Sequence, residues 1–80
     1  MSREEMIALG FKYEGICNCD QTLNYKYSKG GYLFYIRPKR KNFHVKQGLK
    51  YIKKHEPILN LYATTQNLFP DKILENAHTA

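Results

Sequence analysis

The sequence predicts an α+β fold: a short N-terminal helix, an antiparallel meander of three to five strands, and a C-terminal helix packed on one sheet face. Three observations predict it. The first ten residues carry a helix start and a helix stop, and several segments between Phe11 and Lys46 alternate apolar and polar residues with the period of a half-buried strand. After Pro57 the apolar residues recur at helical spacing.

Ser2 and Glu5 fit a capping box, Met6, Ile7 and Leu9 supply apolar positions and Gly10 a stop, so a helix is expected over residues 3–9. In "FKYEGICNCD" the residues Phe11, Tyr13, Cys17 and Cys19 alternate with polar ones, and Gly15 interrupts the run as a bulge would. Asp20 and Gln21 form a turn. "TLNYKYS" resumes the alternation, with Leu23, Tyr25 and Tyr27 on one face and Asn24, Lys26 and Ser28 on the other. "SKGG" is a hairpin signal, and "YLFYIR", apolar on both faces until Arg37, reads as the central strand.

Pro38 with Lys39, Arg40 and Lys41 makes a connecting loop, because proline ends ladder pairing. "NFHVKQ" alternates again, and "LKYIKKH" reads as a further strand or extended segment. From Pro57, Ile58, Leu61, Tyr62 and Thr65 mark a helix, and Pro70-Asp71 suggests a short second start before a tail, residues 76–80, that frays. The whole chain, 1–80, is expected to form a single small basic domain.

This order of helix, strand meander and helix, opening on a short helix with a Gly10-Phe11 step, resembles the small double-stranded-RNA-binding-like folds, including toxins of the HicA type. Those toxins carry a histidine after a Gly-Ser pair in the sheet. The comparable stretch here, "CNCDQTLNY", has none, so the resemblance is one of element order and implies no RNA cleavage.

An 80-residue chain buries only about 60% of its unfolded surface, which leaves little room for an internal active-site cavity. Its apolar fraction of 42% still argues for a folded domain rather than disorder. The start lacks a signal-like pattern and no apolar run approaches a membrane span, so a cytoplasmic protein without membrane contact is expected. Cys17 and Cys19 are too few and too close for a disulfide framework. They read as small buried hydrophobes, since a structural metal site needs more ligands than one tight pair provides. No metal or cofactor is expected.

Charge supplies the functional signal. Residues 26–54 carry ten Lys or Arg and no acid, a charge of +10 against −4 for the rest, giving the net +6. Such a segment makes a positive surface for a polyanion. If the helices cover one side of the sheet, the pleat turns Lys12, Glu14, Lys26, Leu33, Tyr35, Arg37, His44 and Lys46 to the other. Single-stranded nucleic acid uses such a face by stacking bases on an aromatic ring while cations meet phosphates. The candidate nucleic-acid-binding residues are therefore Lys26, Lys29, Tyr35, Arg37, Lys39, Arg40, Lys41, His44 and Lys46.

The function expected is non-enzymatic binding of single-stranded DNA or RNA. The alternative is a protein-interaction module for an acidic partner or a homodimer. A small ribonuclease using His44 ranks below both, and a set of strand residues that merely solvates the sheet accounts for the same pattern.

Overall fold

The computed structural model describes residues 2–19 and 21–70. The expected second helical start at Pro70-Asp71 and the expected frayed tail fall largely or wholly outside them. Along the chain lie α1 (Arg3–Ala8), β1 (Lys12–Cys19), β2 (Thr22–Lys29), β3 (Tyr32–Arg37), β4 (Asn42–Gln47), β5 (Lys50–Pro57), a 3₁₀ turn (Ile58–Asn60) and α2 (Leu61–Leu68). The five strands form one antiparallel sheet in the order β1-β2-β3-β4-β5. The expected α+β fold is thus observed, with β3 in the centre and the full five strands.

Local chemistry fixes the ends of α1. The Ser2 hydroxyl accepts the Glu5 backbone N–H at 3.2 Å while the Glu5 carboxylate accepts that of Ser2 at 3.1 Å. These bonds hold the Glu5 carboxyl below its ordinary range. At the other end the Gly10 N–H donates to the Ile7 carbonyl and the Phe11 N–H to that of Met6, the paired bonds of a Schellman stop. The helix therefore hands the chain to β1 at Phe11.

Gly30 and Gly31 join β2 to β3 in a two-residue turn with φ of 56° and 83°, the left-handed pair a tight hairpin requires. Gly30 is needed a second time, because a Cβ there would lie 2.9 Å from the Phe69 ring. The inner face of the sheet carries Phe11, Tyr27, Phe34, Ile36, Phe43 and Val45, closed by Met6 of α1 and Leu61 of α2. Phe34 is completely buried, with its ring edge-on to Phe11 at 4.9 Å and parallel to Phe43 at 6.3 Å. In α2 the buried Thr65 hydroxyl is satisfied by the Leu61 carbonyl at 2.8 Å.

Four details depart from the sequence reading. The bulge expected at Gly15 is present between Tyr13 and Gly15, and it shifts the phase of the rest of β1. Cys17 therefore pairs with Asn24, on the face opposite the core, while Tyr13 pairs with the inward Tyr27. Cys17 is also disulfide-bonded, so it is neither a free thiol nor a core hydrophobe. Pro57 ends β5 instead of opening a helix, because the next N–H, of Ile58, bonds back to the Lys41 carbonyl at 3.0 Å. Within α2, Thr64 takes the inward position expected of Tyr62, whose ring is exposed.

Truncating the core centre, Phe34→Ala, should cost about 3–5 kcal/mol, a large part of the stability of a domain this small. Urea unfolding followed by circular dichroism should show a much lower midpoint or no cooperative transition. As pH falls through the lowered pKa of Glu5, the capping contribution present above the ordinary carboxylate range is lost. Amide exchange in α1 should accelerate there, and Glu5→Gln, which replaces the titrating carboxylate, should remove that pH dependence.

Candidate nucleic-acid interface

The outer face of the sheet can be read row by row from the strand register. One row runs Lys26, Tyr35, His44 across β2, β3 and β4. The next runs Ser28, Leu33, Lys46, Tyr51 and reaches β5. A third holds Arg37 beside Asn42. Tyr35 thus sits near the middle, as expected, with the Lys26 ammonium 6.0 Å from its ring centroid.

Tyr51 is the residue that sequence reasoning missed on this face. The residue is 46% exposed, and the Lys46 and Lys54 ammonium groups each lie 5.1 Å from its ring centroid. Two cations over one accessible ring give both halves of a base-and-phosphate contact at one place. The loop Pro38–Lys41 extends the positive surface past the ends of β3 and β4, with Lys39, Arg40 and Lys41 all exposed. It is held by the Arg40 N–H on the Arg37 carbonyl and the Lys41 N–H on that of Pro38.

Three expected site residues sit differently from the expectation. Lys29 turns away from the outer face: its ammonium donates to the Leu9 carbonyl at 2.6 Å and lies 4.5 Å from the Phe69 ring centroid. Arg37 and His44 have the expected outward parity but are only 4% and 6% exposed. Arg37 is engaged by Asn42 Oδ1 at 3.4 Å and His44 Nε2 at 3.1 Å. The His44 ring is flanked by Tyr51 at 5.7 Å and His55 at 4.7 Å, and its Nδ1 accepts the His55 backbone N–H at 2.9 Å.

Irregularities in β5 create this cluster. The β4–β5 register shifts twice, between Phe43 and Val45 and between Val45 and Lys46. His55 takes a φ of +53°, a conformation that costs a residue with a Cβ. The only acid with outward parity named above, Glu14, accepts a hydrogen bond from Ser28 at the β1–β2 corner. Among the described residues, no three of His, Cys, Asp and Glu converge as metal ligands.

No protein-family model, curated protein or solved structure matches the chain. The site therefore rests on its own geometry.

Lys29→Ala should destabilise the fold by about 1–2 kcal/mol through the lost hydrogen bond and ring contacts, whereas Lys26→Ala should stay within about 0.5 kcal/mol of wild type. Urea midpoints of the two variants measure the difference. His55→Gly keeps the backbone donor to His44 and removes the left-handed strain, so it should stabilise by about 0.5–1 kcal/mol. A rise of a few degrees in melting temperature is the expected reading.

Proposed function

We propose that the outer face binds single-stranded nucleic acid without cleaving it, stacking bases on Tyr35 and Tyr51 and meeting phosphates through Lys26, Lys46, Lys54 and the Lys39–Lys41 loop. The observation that carries this reading is the pairing of each tyrosine ring with lysine ammonium groups on one sheet face. Phosphate contacts of this kind position a strand without reading its sequence.

The helices point away from duplex recognition. Helix α1 has Glu4 and Glu5 in its first turn and no base in its last, and α2, LYATTQNL, carries no charged residue. A groove-reading helix needs cations beside its base contacts, and neither helix has that character. Among the described residues no helix is long and apolar enough to cross a membrane.

Fluorescence anisotropy with labelled single-stranded oligonucleotides at several salt concentrations tests the proposal. Six engaged cations predict a log-log salt slope of about −4 for a single strand. Tyr35→Ala and Tyr51→Ala should each weaken binding by about 1–3 kcal/mol with the fold retained. Lys29→Ala, its ammonium committed to Leu9, should leave the slope unchanged. Flat titrations at low salt would reject nucleic acid as the partner and favour an acidic protein or a second copy.

A further inference from the structure

Helix α1 is too short to roof the strand beside it. Its six residues make about 9 Å of helix, whereas the eight of β2 make about 27 Å of strand, so part of the inner face extends past it. A cleft of about 360 Å³ opens at this margin, lined by Arg3, Met6, Tyr25, Tyr27, Ile36 and Pro38. Its floor is the cross-strand pair of Tyr25 and Ile36, with Tyr27 at the next inward position of β2. Met6 and Arg3 of α1 form one side and Pro38, just past the end of β3, another. The volume falls at the small end of the range for ligand sites, roughly 300–1,000 Å³.

Two polar groups at this cleft lack a matching partner. Tyr27 is only 4% exposed, yet no protein group among the described residues hydrogen-bonds its hydroxyl. A buried phenol ordinarily finds a partner, because an unmade hydrogen bond leaves its desolvation uncompensated. The second group is Arg3. Its guanidinium lies 4.1 Å from the Tyr13 ring centroid and pairs with no carboxylate among the described residues. Burial and the neighbouring Tyr13 hold the Tyr27 phenol above its ordinary range while Arg3 pulls it down, so the positive charge acts at that hydroxyl. Glu4 acts there too, more weakly than Arg3.

These features define the chemistry of an occupant. Two tyrosine rings, a thioether and a proline ring favour a flat aromatic body. A guanidinium fork beside a phenol O–H favours an oxyanion attached to it. One cation, partly offset by Glu4, matches a single negative charge better than the double charge of a phosphate monoester.

We propose that the cleft binds a small aromatic monocarboxylate, its ring lying among Met6, Tyr25, Tyr27 and Pro38 and its carboxylate accepting from the Arg3 guanidinium and the Tyr27 hydroxyl. The site lies on the opposite side of the sheet from Tyr35 and does not depend on what that outer face binds.

The experiment is an NMR titration of the full chain with naphthoate, and with naphthylmethanol as its uncharged counterpart. Saturable shifts are expected at the Met6 methyl and the Tyr25 and Tyr27 rings, with nuclear Overhauser contacts from the naphthyl protons to the Met6 methyl. Naphthoate should bind at least about tenfold tighter than the alcohol. Arg3→Gln, at an exposed position outside the core, should weaken naphthoate about tenfold and leave the alcohol unchanged. Tyr27→Phe, which keeps the ring and removes the donor, should weaken naphthoate about fivefold. Three results each overturn the proposal: no saturable shifts at these residues, equal affinity for the two probes, or naphthyl contacts to Tyr35 or Tyr51 in place of Met6.

Discussion

The Lys29 ammonium pins both helical ends of the chain to one corner of the sheet. It donates to the Leu9 carbonyl, where α1 stops, and rests over Phe69, where α2 stops, and over Phe11 between them. Helices of six and eight residues do not persist alone, since nucleation costs more than so few hydrogen bonds return. They persist here because they cover an aromatic sheet face, and that face stays dry only while they are held. The lysine's methylene stem suits the role, packing along rings while the charge meets a carbonyl and π faces.

With the inner face closed in this way, the polar residues are left to the other side, but they do not all lie in water. Thr22, Asn24, Arg37 and His44 have outward parity and are buried. The Asn24 side-chain amide donates to the Thr22 carbonyl at 3.0 Å. The outer face is therefore two surfaces in one: an accessible part around Tyr35, Tyr51 and their lysines, and a sunken part around Arg37.

Much of this was legible in the residues. The Ser2–Glu5 box, the Gly15 bulge, the Gly30-Gly31 hairpin and the central position of YLFYIR follow from local chemistry, and each is where that chemistry puts it. Lys29 was legible too, because it shares the odd parity of Tyr25 and Tyr27, but its place in a turn signal outweighed that parity. Burial of Arg37 and His44 was not legible: alternation assigns a side chain to a face and says nothing of depth. The phase of Cys17 was lost because a bulge exchanges the two faces beyond it. Tyr51 and His55 were hidden for a related reason, since two register shifts leave β5 with no regular period to read.

The register breaks in this sheet share a location. All of them involve β1 or β5, the two outermost strands, while the β2–β3 and β3–β4 ladders run without interruption. An outermost strand with regular spacing offers unpaired backbone donors and acceptors to any passing chain and can template its addition. Gly15 and the shifts opposite Val45 spoil that spacing on both borders. The meander is thereby self-limiting: the irregularity that places His55 beside His44 also discourages other molecules from extending the sheet.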